Sequence, residues 1–317
     1  MDFVNIVLNI LTSGLPCCLL AVGIFLTYRL LDFADLTAEG SFLLGAAITG
    51  VTIYLDWNPF LATLLGLVIG GLCGFITGIL NRLLKIPKLL SGIITLTASG
   101  SIALLIMGLS RDNAFFASQV PIRITKGGDI QTIYSMFFPW APVWNKVVEA
   151  VIMLVIVFAV IALIYYFFGT QYGMAIRATG MNEKMARAQG INTNISTIVC
   201  VTISNALIGL AGSLYVQDTL TVSTVSATGY LVIGLASILI GEAIFGKRSF
   251  KNWLVSVALG AITYFIIITV ALYLGFPTEL KNLLYAVLIA IALCLPLFRK
   301  LIKNIIAKFK KKGEETC

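Results

Sequence analysis

Residues 150–168, AVIMLVIVFAVIALIYYFF, contain no charged side chain and lie inside an apolar stretch that covers 147–168. A bilayer's hydrocarbon core is about 30 Å thick and a helix rises about 1.5 Å per residue, so roughly 20 apolar residues cross it. This stretch therefore predicts a membrane-spanning helix. Applied outward along the chain, the same criterion predicts nine spans, within a range of eight to ten: 4–27, 36–55, 60–81, 89–109, 147–168, 196–216, 229–246, 252–274 and 283–298.

Composition leads to the same class. Hydrophobic residues make up 59% of the 317 positions and charged residues 11%, against about 45–50% and 25% in water-soluble domains. The first apolar run has no basic segment before it and no small-residue cleavage site after it, so it reads as a retained span. A net charge of +8 would suggest a nucleic-acid face in a soluble protein. Here the lysines and arginines gather between spans and at the C-terminus, which is how topology signals are distributed. With the N-terminus outside, the inner loops and tail hold seventeen of the 22 Lys and Arg residues and the outer loops hold five. The expectation is an all-α multi-pass protein of a bacterial plasma membrane with its C-terminus in the cytoplasm.

The organisation follows from the spans. Residues 1–298 form the transmembrane domain, 110–146 an external aromatic-rich loop, 169–195 a cytoplasmic loop, and 299–317 a basic tail. In that tail Leu301, Ile302, Ile305, Ile306 and Phe309 recur at helical spacing, which predicts an amphipathic helix on the inner leaflet. Gly66, Gly70, Gly74 and Gly78 fall on one face of the third span, where a neighbouring backbone can approach closely. A G-x4-G-x-A pattern opens span two at Gly40 and span seven at Gly229. The two segments are five spans apart, so they are expected to enter the membrane from opposite sides, as inverted-topology repeats do.

Several chemistries lose their residues. The chain has no histidine, which removes H-E-x-x-H metal sites and Ser-His nucleophiles. It has no G-x4-G-K-[ST] loop for phosphates. Its cysteines lie mostly in apolar runs without metal-ligand spacing, so no metal site and no cofactor is expected in this chain. Ionisable groups within a membrane are functional candidates by default, and Glu39 and Glu242 are the two picked out here. Both fall near predicted cytoplasmic ends, where Glu39 can reach Arg29 or its own helix start and Glu242 can reach Lys247 or Arg248. Thr37, Glu39, Ser41, Thr97, Ser204 and Asn205 are the candidates for lining a translocation path, against the plainer alternative of interhelical hydrogen bonds.

The loop 169–195 is too polar to span and too organised for a linker. Asn182 can cap a helix through Glu183 to Arg187, and Gly190 can stop it. Such a short exposed helix suits a groove on another protein.

That loop resembles the signature G-x3-R-A-x-G-x-N-x3-A-x3-G-I of permeases in the branched-chain amino acid and ribose ABC importer superfamily. Gly173, Arg177, Ala178, Gly180, Asn182, Ala186, Gly190 and Ile191 match it. Residues 35–47, DLTAEGSFLLGAA, and 234–246, GLASILIGEAIFG, resemble more narrowly the permeases of tryptophan-type uptake systems that work with a substrate-binding lipoprotein. The resemblance implies a type II-like ABC importer permease, not itself an enzyme, working as a homodimer. It implies a pair of cytoplasmic ATPase subunits, which bind ATP and Mg, gripping Arg177, Gly180, Asn182, Glu183, Ala186, Gly190 and Ile191. It also implies an external lipoprotein that delivers a small solute, an amino acid of aromatic kind, and no nucleic-acid partner. An ion-coupled secondary transporter is the alternative, and a scaffold or lipid-handling protein stands behind it.

Overall fold

The computed structural model describes residues 2–109, 122–123, 132–134, 142–223 and 229–275, together with 287 and 290. The expected ninth span at 283–298, the basic tail and most of the external loop lie outside the described residues.

Ten helices are described. Helix α1 runs Asp2–Phe25 and continues as a π-helical turn, Leu26–Leu30. Then follow α2 (Thr37–Tyr54), α3 (Pro59–Arg82), α4 (Lys88–Leu109), α5 (Pro142–Gly169), α6 (Gln171–Met181), α7 (Glu183–Ala188), α8 (Thr193–Thr219), α9 (Tyr230–Phe245) and α10 (Phe250–Tyr273). Local chemistry fixes many ends. Asn58 caps α3 by accepting from the Phe60 amide at 2.9 Å, with Pro59 in the first turn. Thr170, Asn192 and Ser249 cap α6, α8 and α10 in the same way.

Six described helical segments are long and apolar enough to cross a membrane: Ile6–Leu30, Pro59–Arg82, Lys88–Gly108, Lys146–Gly169, Thr193–Thr219 and Phe250–Tyr273. Nine were expected. Helix α9 is shorter, and α2 is rich in Gly, Ala, Ser and Thr. The composition of α2 suits its place, because it packs against α3, α4 and α8 and nearly all of its side chains are buried. A helix enclosed by protein does not need the hydropathy that lipid demands. The outer faces of α3 and α5 do meet that demand, with Leu61, Leu64 and Leu72 on one and Val151, Val155 and Phe158 on the other exposed.

The expected glycine face of α3 is a backbone-on-backbone seam with α8. A Cβ on Gly70 would lie 2.5 Å from the Asn205 carbonyl oxygen and 2.8 Å from the Gly209 Cα. One on Gly209 would lie 2.5 Å from the Gly66 carbonyl, and one on Gly78 3.0 Å from the Ile198 Cα. Helices α1, α9 and α10 form a second group, joined to the first where α1 meets α8. Of the external connection, β1 (Ile122–Arg123) pairs antiparallel with β2 (Thr221–Val222) just beyond α8. Ile133 and Tyr134 are buried, and the Ile133 amide donates to Gln217 Oε1 at 3.0 Å. These pieces lie on the protein rather than only at a lipid interface.

The contacts fix relative directions. Ser41 meets Asn205 and Thr49 meets Ser213, so α2 runs parallel to α8. Cys200 meets Leu26 and Ser204 meets Gly23, so α1 runs against α8. Gly234 packs on Ile24 and Arg29 meets Glu242, so α9 runs with α1 and therefore opposite to α2. The starts of α2 and α9 were expected on opposite membrane faces. They meet inside the bundle instead, where the Gly229 amide donates to Glu39 Oε1 at 3.1 Å. The reason is the turn 31–36, which folds the chain back beneath α8. Ser41 then lies level with Asn205, about 18 Å along α8 from its first residue.

Candidate functional site

The short helix expected in the loop between α5 and α8 is present as α7, Glu183–Ala188, while residues 193–195 of the expected loop open α8. Asn182 ends α6 and caps α7, its Oδ1 accepting from the Met185 amide at 3.0 Å. Gly190 has φ +80 and closes α7, with the Ile191 amide donating to the Ala186 carbonyl at 3.0 Å. Ala186 is buried as the pivot beneath α7, while Met181, Met185 and Lys184 are exposed. Arg177 is also exposed and lies 4.7 Å above the Phe250 ring at the start of α10. Gly180 packs directly on the Leu30 carbonyl, so that a side chain there would overlap the backbone of the π turn. Beside the loop, Tyr172, Ile176, Ile191, Ile195 and Val199 help line a groove of about 390 Å³ between α6 and α8.

Glu183 ties this loop to the bundle. It accepts from Arg82 at 2.6 Å and Arg187 at 2.7 Å, and the Thr193 hydroxyl reaches it at 3.3 Å. Partial burial raises its pKa, but the Arg82 hydrogen bond and charge, then Arg187 and Thr193, outweigh that and hold the carboxyl below its ordinary value of 4.5. A depressed folded pKa stabilises above the unfolded pKa, and the stabilisation is lost as pH falls through the folded one. Glu183 is a third exposed, so screening limits its worth to about 1 kcal/mol or less. Amide exchange of residues 183–191 in nanodiscs should accelerate as pH falls below 4.5, beyond the intrinsic trend. The Glu183→Gln variant should lack that step; a step of equal size in the variant refutes the assignment. Arg82 was not singled out in the sequence, because its partner lies a hundred residues away and only the fold joins them.

The expected path residues divide. Thr37, Ser41, Ser204 and Asn205 are fully buried with their polar atoms engaged. Asn205 Nδ2 donates to Asp35 Oδ2 at 2.7 Å, and Ser41 donates to Asn205 Oδ1 at 2.7 Å. Thr37 and Thr77 share a 2.8 Å hydrogen bond, and Thr77 continues to Thr95. Ser204 donates to the Gly23 carbonyl at 2.7 Å. In this conformation these four staple α1, α2, α3, α4 and α8 together. Thr97 stands apart: it is exposed on α4, bonds only its own helix backbone, and neighbours the similarly exposed Ser101.

The two acidic expectations are corrected in their partners. Glu39 lies in the first turn of α2, one of its two expected places, and takes the Gly229 amide and not Arg29, because the turn 31–36 carries it away from the π turn. Glu242 takes Arg29 at 2.6 Å and the Trp253 indole at 2.9 Å, not Lys247 or Arg248. Further intramembrane acids escaped the sequence reading. Helix α8 extends past the expected limit of 216 and carries Asp218, to which Ser13 donates at 2.9 Å, and Glu149, inside the expected span 147–168, lies near it. Asp35, read as a loop residue, is buried beside Asn205.

Comparison with known proteins bears on all of this. The chain matches, over residues 6–293, the family described as branched-chain amino acid transport system / permease component. It is 32% identical over 286 residues to a tyrosine transport system permease protein of Clostridioides difficile, covering 90% of this chain and 89% of that one. It is 26% identical to a galactofuranose transporter permease protein of Escherichia coli, covering 89% and 76%. It is 26% identical to a probable branched-chain amino acid transport permease protein of Methanocaldococcus jannaschii, covering 78% and 77%. No solved structure matches. Permeases of this kind are transport components and not enzymes. With the family model matching nearly the whole chain, this protein belongs to the ABC-transporter permeases of the branched-chain amino acid transport system type.

Proposed function

We propose that this chain is the membrane-spanning half-path of an ATP-driven importer for an aromatic amino acid, working as a homodimer with two ATPase subunits and an external binding lipoprotein. The observation that carries the reading is the loop 170–192. It is a capped, braced and solvent-exposed helical knob with Met181 and Met185 outward, the form that one protein offers to another's groove. ATP and Mg belong to the ATPase. The 32% identity to a permease of a tyrosine transport system supports the substrate class, and so does the resemblance to tryptophan-type systems.

The opposite running of α2 and α9 supports two inverted repeats, and with the span expected at 283–298 the count returns to nine. In this reading the loop 170–192 and the C-terminus lie in the cytoplasm, a side that the distribution of Lys and Arg supports. Along the path, Glu39 is half-buried beside the start of α9, and Thr97 is exposed on α4. Thr37, Ser41, Ser204 and Asn205 then line it only when the α2–α8 contacts part. Glu149 and Asp218 are the residues an ion-coupled transporter would use, so energy source is what separates the two readings.

The test is uptake of radiolabelled L-tyrosine into proteoliposomes holding the complete complex and its binding protein. Uptake should require ATP and persist when ionophores collapse proton and sodium gradients. Uptake that follows an imposed ion gradient without ATP would overturn the proposal.

A further inference from the structure

Glu242 holds three elements at the loop end of the bundle. Its Oε2 accepts from Arg29 at 2.6 Å and its Oε1 from Trp253 Nε1 at 2.9 Å. Arg29 sits in the π turn that ends α1, Trp253 in the first turns of α10, and Glu242 itself near the end of α9. Only 11% of the Glu242 side chain is exposed, so each donor matters to a carboxylate largely removed from water. The rings behind it form a continuous aromatic cluster: Phe25 lies edge-on to Trp253 at 4.9 Å, and Phe168 and Phe25 both lie against Phe250.

Helix α6 touches both of the carboxylate's partners' segments. Gly180 presses on the carbonyl of Leu30, the residue after Arg29. Arg177 covers Phe250, which lies one turn before Trp253. A displacement of α6 therefore acts on the two donors of Glu242 from two sides. A π turn is a natural place to absorb it, since such turns are rare single-turn departures from the α-helix and often mark functional positions. A static staple between α1, α9 and α10 would need neither contact with α6.

We propose that Glu242 is a positioning residue for transport, a latch whose bonds to Arg29 and Trp253 carry movement of the cytoplasmic loop to the inner ends of α1, α9 and α10. This rests on the reading of the loop as the ATPase dock. When α6 shifts, Arg29 and Trp253 move apart, Glu242 loses one donor, and the inner ends separate. The carboxylate is needed because it accepts from both donors at once. The amide of Glu242→Gln accepts through one oxygen only and turns an NH₂ toward a donor.

The experiment places spin labels at Ala34→Cys and Arg248→Cys, both exposed, in a Cys317→Ser background, with the complete transporter in nanodiscs. The label distance is measured without nucleotide and after trapping with ATP and vanadate. The otherwise unaltered chain should show a shift between the two states. Glu242→Gln should show none while still hydrolysing ATP and retaining the ATPase. The exchange Arg29→Glu with Glu242→Arg should restore the shift only in part, because it re-forms the ion pair with α1 while a guanidinium at position 242 has no atom to accept from Trp253 Nε1. Trp253→Phe, which keeps a ring in the aromatic cluster, should reduce it, and serves if Glu242→Gln does not fold. A shift in Glu242→Gln equal to that of the unaltered latch overturns the proposal, as does an unaltered latch with no shift. Loss of the ATPase from the unaltered chain would instead defeat the docking reading, and the latch with it.

Discussion

Replacing Gly70 by leucine should abolish recovery of folded protein. The site allows no relaxation in place, because even a Cβ there would sit 2.5 Å from one backbone oxygen of α8 and 2.8 Å from the Cα of another glycine. Backbone atoms cannot rotate aside as the tip of a side chain can. The helices must part, and parting α3 from α8 pulls at the hydrogen bond that crosses the seam from Gln217 to Thr63. Overpacking of a core typically costs about 1–3 kcal/mol; this seam should exceed that range. Gly70→Ala should already lower thermal stability in detergent, and Gly71→Ala should do so less, its nearest atom being the Ala206 Cβ at 3.3 Å. Gly100→Ala, with nothing within 4 Å, should leave stability unchanged. Equal melting temperatures for the Gly70 and Gly100 variants would refute the seam.

The second large effect is expected in the loop. Gly190 holds φ +80 in open space, so Gly190→Val pays for its backbone conformation and for nothing else, at about 1–2 kcal/mol or more for a β-branched residue. Asn182→Leu removes the cap of α7 at a cost of about 1 kcal/mol. A six-residue helix has little stability of its own. Together these costs of about 2–3 kcal/mol lower the folded-to-unfolded ratio of the knob roughly 30- to 150-fold. Gly190→Asn should be tolerated, since asparagine enters the left-handed region at small cost. The bundle should keep its melting temperature in all three variants.

How far the sequence carried this reading depends on the range of the interaction. The loop was legible because its signals are local: a cap at Asn182, a stop at Gly190, and between them a helix too polar for lipid. The α3 glycine face was legible because a spacing of four residues fixes a face of a helix, although the partner helix was not. What failed were the partners of isolated polar groups. Glu242 finds Arg29 across 213 positions and Asn205 finds Asp35 across 170, and no pattern within either segment points to the other. Hydropathy placed α2 at 36–55, close to its observed bounds, but could not show that it is wrapped by protein and not lipid. It also trimmed α8 at its polar end and so hid Asp218, while Glu149 lay inside the expected span 147–168 and was passed over because nothing near it in sequence pairs with it.

Central to the account is that the knob at 173–191 holds an ATPase, and the direct measurement is co-purification. The tagged chain is extracted from its native membranes in mild detergent, and the proteins that remain bound are identified by mass spectrometry. The unaltered chain and Gly190→Asn should each bring down a nucleotide-binding subunit, and the combined Asn182→Leu and Gly190→Val variant should lose it while still folding. Recovery of the unaltered chain without any nucleotide-binding subunit, or equal retention by the combined variant, would contradict the account.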